Sequence, residues 1–120
     1  MLPEAYKAAD ILKKEHDFGL KVINLPWLNK FDKEWLKNTI GNTKQVFTLD
    51  NHLLDGGQGE RVAAVMTECG LSGKISLMKL GLTEIPECGR NDEIMAHHGL
   101  DSLGIVEKIL LNINKGHKDY

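Results

Sequence analysis

The sequence predicts an α/β domain, a three-layer α/β/α sandwich built on a mostly parallel sheet. Two observations predict it: short β-branched runs alternate with amphipathic helical stretches, and the segments between them are short. Parallel neighbours need a crossover, and the crossover is normally a helix lying on a face of the sheet. The elements follow in order. Pro3 suits a first helical position, Glu4 suits the positive end of a helix dipole, and Ala5, Ala8, Ala9 and Leu12 recur at helical spacing. Leu20 to Leu25 (LKVINL) is β-branched in its middle and reads as a buried strand stopped by Pro26 and Trp27. Asp32 is placed to cap the next helix, with Phe31 and Leu36 as a hydrophobic staple and Gly41 at the far end.

Val46 to Leu49 reads as a second strand and Ile75 to Leu80 as a third, with these strands mutually parallel. Between them Val62, Val65, Met66 and Cys69 mark the inner face of a helix that ends at Gly70. An irregular stretch runs to Asn91, a short helix ends at Gly99, and a last helix starts at Asp101 with Val106, Ile109, Leu110 and Ile113 on one face. No repeat, linker or low-complexity tract interrupts the pattern.

A chain of 120 residues with 42% apolar side chains supports one packed core, so residues 1–120 are expected to form one domain. Fifteen basic and 17 acidic residues are interspersed, the net charge is -2, and no basic stripe invites nucleic acid. Cys69 and Cys88 form no CxxC pair, which suits a reducing compartment. Met1 to Leu12 carries Glu4, Lys7 and Asp10 and so has neither a signal peptide's apolar run nor a membrane span's length. A cytoplasmic protein without membrane attachment is the expectation.

The most pointed local feature is Asp55-Gly56-Gly57-Gln58-Gly59-Glu60, which follows a strand and opens a helix. Backbone amides there could hold a phosphate, a nucleotide or another anion. Against this, Asp55 and Glu60 complement the helix end themselves and repel a bound anion, and Arg61 offsets only part of their charge. In the structural reading, Gly56 and Gly57 adopt backbone angles closed to other residues and Gly59 lets the helix lie close to the sheet. Asp50-Asn51-His52 stands just after the second strand, at the carboxyl end of a parallel sheet, where open α/β folds bind ligands. His52 is the best lone candidate there, while Asp50 and Asn51 have the alternative role of satisfying the turn's backbone.

The remaining chemistry-bearing residues lead nowhere. His97 and His98 are adjacent and point about 100° apart on a helix, whereas a helical metal pair needs i, i+4 spacing. His16, His52 and His117 have no ligand partners at metal spacing, so no metal site is expected. Cys69 falls on an inward helical stripe, and Cys88, beside Gly89 and Arg90, has no identifiable base. Trp27 and Trp35 suit either a core or a partner surface. No catalytic residue emerges.

Taken together, Val46 to Val65 (VFTLDNHLLDGGQGERVAAV) resembles the strand, acidic-His turn, GGxG and helix of transketolase C-terminal domains. The resemblance continues through Leu80-Gly81-Leu82, Ile85-Pro86-Glu87-Cys88-Gly89, Gly99-Leu100-Asp101 and Ile105, and upstream in Leu2-Pro3-Glu4-Ala5. Deoxyxylulose phosphate synthase and the pyruvate dehydrogenase beta subunit are relatives, but the Asp50-Asn51-His52 and Gly89 regions look most like transketolase. Two positions depart from the pattern: Lys30-Phe31-Asp32 stands where the family has Pro-Leu-Asp, and Asp50-Asn51 where it has an acidic pair.

The resemblance implies a whole enzyme that passes ketol units between sugar phosphates on thiamine diphosphate and a divalent metal, both held by two other domains. This chain would then bind neither and would not be catalytic alone. Its implied partners are the remaining transketolase domains or a separate subunit, with a second copy in a homodimer. By this resemblance the family's first strand is missing, which reads as a fragment or a truncated frame and implies an exposed sheet edge that a second chain covers. The alternative is an independent α/β module that binds a nucleotide or other anion at Gly56 to Glu60.

Overall fold

The computed structural model describes residues 1–116, with side chains through Asn114. His117 lies outside the described residues. The elements are α1 (Leu2–His16), α2 (Lys33–Ile40), β1 (Gln45–Leu53), α3 (Gln58–Glu68), β2 (Ser76–Leu82), α4 (Asn91–His97) and α5 (Ser102–Gly116). They fall into two compact units, one from Leu25 to Glu84 and one made of Met1–Asn24 together with the chain from Ile85 onward.

In the Leu25–Glu84 unit, β1 and β2 pair in parallel, and α3 forms their crossover. The α/β class and the parallel sheet are therefore as the alternation implied. Asp32 caps α2 by accepting the Trp35 amide at 2.8 Å, and Gly41 closes the helix. The apolar stripe of α3 is the one the periodicity gives: Val62, Val65 and Met66 are buried against Leu36 and Ile40 of α2. Phe31, Cys69, Val46, Leu77 and Leu25 pack around this cluster. Full burial of a side chain such as Val65 stabilises by about 1.5–3 kcal/mol. An ion pair between Lys33 and Glu68 joins the start of α2 to the end of α3 on the outside.

Leu20 to Leu25 corrects the expectation: it is not a strand but non-helical chain outside the sheet, which among the described residues has only β1 and β2. A β-branched run fits a pleated, half-buried surface but becomes a strand only where a neighbour satisfies its backbone. Here Ile23 is 42% exposed, and the run straddles the boundary at Asn24 where the chain passes from one unit to the other.

The second unit is helical. Ala8 and Leu12 of α1 are buried, as are Ile105, Val106 and Ile109 of α5 and Leu100 just before it. Glu4 of α1 accepts the Ser102 amide at 2.8 Å and so neutralises the first turn of α5 from another helix. Asp101 accepts the Gly104 amide at 3.0 Å from the usual capping position. At the other end of α4, Lys108 donates to the His98 carbonyl at 2.7 Å.

Candidate functional site

The candidate site lies where β1 runs into α3. Its geometry begins with a break in register. Leu49 pairs with Leu80 and Leu53 with Leu82, so β1 advances four residues while β2 advances two. Asp50, Asn51 and His52 occupy this bulge, inside β1 rather than just after it as the sequence suggests. Bulges re-aim side chains, and this one makes room through Gly81 on the facing strand. A Cβ at Gly81 would lie 2.8 Å from Leu54 Cδ2 and 3.0 Å from the His52 carbonyl oxygen.

The bulge turns the half-buried Asp50 onto the start of α3. One carboxylate oxygen accepts the Gln58 amide at 3.2 Å and the other accepts the Gly59 amide at 3.3 Å. Gln58 returns the contact by donating its side-chain amide to the Leu49 carbonyl at 2.6 Å. Glu60 reaches back from the third helical position and accepts the Gly56 amide at 3.0 Å, one residue further out than in the usual capping box. Its other oxygen lies 4.0 Å from Lys79 Nζ. Two carboxylates of the chain itself therefore complement the positive end of α3.

The glycines of the turn act differently from one another. Gly56 has φ 76°, in the left-handed region expected of it. Gly57 does not: its φ is -80° and ψ 176°, ordinary extended backbone, which corrects the expectation of a forbidden angle. It is held to glycine by space, because a Cβ there would sit 2.9 Å from an Asp50 carboxylate oxygen. Gly59 brings α3 against the sheet as anticipated, with Thr48 Oγ1 and the Lys79 stem 2.7–2.8 Å from where a Cβ would be. Thr48 is buried, and its hydroxyl has no hydrogen-bond partner among the described residues.

Asn51 and His52 are exposed on the outside of the bulge. His52 Nδ1 lies 2.9 Å from the Leu53 carbonyl, which can only accept, so Nδ1 carries the proton in that contact. Elsewhere the candidates stay apart. Cys69 packs against the core cluster with Sγ 3.8 Å from the Lys33 carbonyl, and Cys88 is exposed. The His97 and His98 rings meet edge to face with centroids 5.0 Å apart, and His16 ends α1. Trp27 is 63% and Trp35 41% exposed. Among the described residues no three His, Cys, Asp or Glu side chains converge as a metal site would require.

Sequence reasoning left the roles of two participants incomplete. Gly81 is noticed only as part of a motif, since its task depends on a bulge in another strand. Glu60 is read there as complementing the helix end, but its partner, the Gly56 amide one residue outside the usual capping box, is not.

Comparison with known proteins bears on all of this. The family described as the transketolase C-terminal domain matches residues 1–105. A putative transketolase C-terminal section of Methanocaldococcus jannaschii is 30% identical over 115 residues, covering 95% of this chain and 34% of that protein. Rattus norvegicus transketolase is 31% identical over 116 residues, 96% of this chain and 18% of that one. A 1-deoxy-D-xylulose-5-phosphate synthase of Dehalococcoides mccartyi is 28% identical over 109 residues, 88% of this chain and 16% of that one. The chain thus spans about a third or less of each of these relatives.

Proposed function

The chain belongs to the transketolase C-terminal domain family, and from that premise we propose that it is the C-terminal structural and dimer-assembly domain of a transketolase, not catalytic alone. In the whole enzyme, ketol units pass between sugar phosphates on thiamine diphosphate with a divalent metal. Both cofactors are held by other domains or another subunit, which this domain braces. The enzyme works in the cytoplasm as a homodimer, with the exposed Asn51 and His52 of the bulge as part of an interface rather than a ligand pocket. No helix among the described residues is long and apolar enough to cross a membrane.

The observation that carries the reading is the occupation of the α3 N-terminus by Asp50, with Glu60 on the Gly56 amide. Amides that could cradle a diphosphate are spent on carboxylates, and a diphosphate would have to displace one carboxylate while facing the other. These residues do not fit the cofactor, and they disfavour the alternative of a nucleotide or anion held at Gly56 to Glu60 for the same reason.

Co-expression with the cofactor-binding polypeptide from the same genome tests the proposal. The expected result is co-elution of the two, with ketol transfer only when both are present and a mass by light scattering that contains two copies of this chain. Turnover by this chain alone, or separate elution of the two polypeptides, would refute it.

A further inference from the structure

We propose that the Asp55–Gly56 bond is a site of spontaneous aspartate isomerisation and that Glu60 holds the reaction in check. It is the chain's single Asp-Gly pair. Isomerisation starts when the backbone nitrogen after an aspartate attacks that residue's side-chain carboxyl. Glycine permits this most readily because no side chain shields its nitrogen. Both residues are exposed, Gly56 has φ 76°, and nothing lies within 4 Å of where its Cβ would be.

In the attack, a bond forms between Gly56 N and Asp55 Cγ. The hydroxyl of the protonated carboxyl leaves with the amide proton as water, giving a cyclic succinimide. Water then adds at the Asp55 backbone carbonyl and the ring opens there, leaving the chain linked through the β-carboxyl. No oxidant or reductant takes part. The Gly56 N–H is donated to Glu60 Oε2 at 3.0 Å, which ties down the proton that must leave and the nitrogen that must turn toward Cγ. Asp101-Ser102 is an internal contrast: its amide is donated to Glu4 at 2.8 Å, and serine shields the nitrogen further.

The product carries one extra main-chain carbon shortly before Gln58 and Gly59, the residues whose amides Asp50 holds. Isomerised chains should therefore melt earlier than fresh ones.

The test is to age the purified chain for weeks at neutral pH and physiological temperature, then map isoaspartate by peptide mass spectrometry. Methyl transfer from S-adenosylmethionine by an isoaspartyl methyltransferase gives a second readout. The expected result is isoaspartate confined to residue 55, absent in Asp55→Glu, and formed several-fold faster in Glu60→Ala than in the parent. Urea-unfolded parent protein sets the unrestrained rate, and a folded Glu60→Ala, verified by its melting curve, should fall between the two. Absence of isoaspartate in aged native protein would overturn the site. A Glu60→Ala rate no faster than the parent's, or a native rate equal to the unfolded one, would overturn the role of Glu60.

Discussion

Two helix N-termini of this protein receive a carboxylate from another element, and the two are built by different means. At α3 the donor of charge is Asp50, eight residues before Gln58, aimed by a strand bulge and admitted by glycines at 57, 59 and 81. At α5 it is Glu4, 98 residues from Ser102, brought there by the packing of α1 on α5. The first is a tight cradle in which a carbon added at Gly57, Gly59 or Gly81 collides. The second depends on a helix pair held by the buried Ala8, Leu12, Ile105 and Ile109, where no glycine brings backbone against the carboxylate. Perturbing α3 should therefore act through sterics, and perturbing α5 through charge.

The largest effect is expected from crowding the cradle. Gly59→Val would push side-chain atoms into Thr48 and Lys79, already 2.7–2.8 Å from the site of the first carbon. Overpacking of this kind costs about 1–3 kcal/mol or more. A urea titration should show a clear loss of midpoint, and an unchanged midpoint would mean that α3 does not lie so close to the sheet.

Asp50→Ala should come next. It leaves two amides of the α3 end without their acceptor, a loss of about 0.5–2 kcal/mol by analogy with helix caps. Hydrogen exchange at Gln58 and Gly59 should quicken with it. Unchanged exchange would show that Asp50 does not hold those amides in solution.

Glu4→Gln is the matching change at α5, with a smaller expected loss of about 0.3–1 kcal/mol. The Glu4 carboxyl is held below its ordinary value, first by the Lys7 hydrogen bond, opposed by burial and assisted by the Ser102 amide. A depressed folded-state pKa stabilises the fold above the unfolded-state pKa, and that contribution fades as pH falls through the folded value. The parent should therefore lose its advantage over Glu4→Gln on acidification. A stability difference that does not change with pH would break the proposed contrast between charge and sterics.

Much of this layout is legible in the sequence, where the signals are local. The Asp32 cap, the Val62, Val65 and Met66 stripe and the glycine after α4 follow from spacing alone. What escapes it is pairing between distant segments. Leu20 to Leu25 has a strand's composition but no place in the sheet, and the bulge at Asp50 is defined by a register with Leu80 and Leu82 that no local pattern encodes. Gly57 shows the same limit in small: its identity is legible but not its cause, which is the nearness of Asp50 rather than a left-handed angle. The Glu4 contact has no local signature at all.

The smallest effect on stability should be that of His52→Ala, within about 0.5 kcal/mol, because the side chain is exposed on the outer side of the bulge. Its predicted consequence is in assembly: weaker association between copies by light scattering, with the melting midpoint nearly unchanged. A fall in midpoint comparable to that of Asp50→Ala would make His52 part of the cradle instead.

The amides at the start of α3 are satisfied from within, by Asp50 and Glu60. Calorimetric titration of the chain with thiamine diphosphate and magnesium tests this most directly. No saturable heat is expected, whereas micromolar binding by the chain alone would show those amides open to a diphosphate.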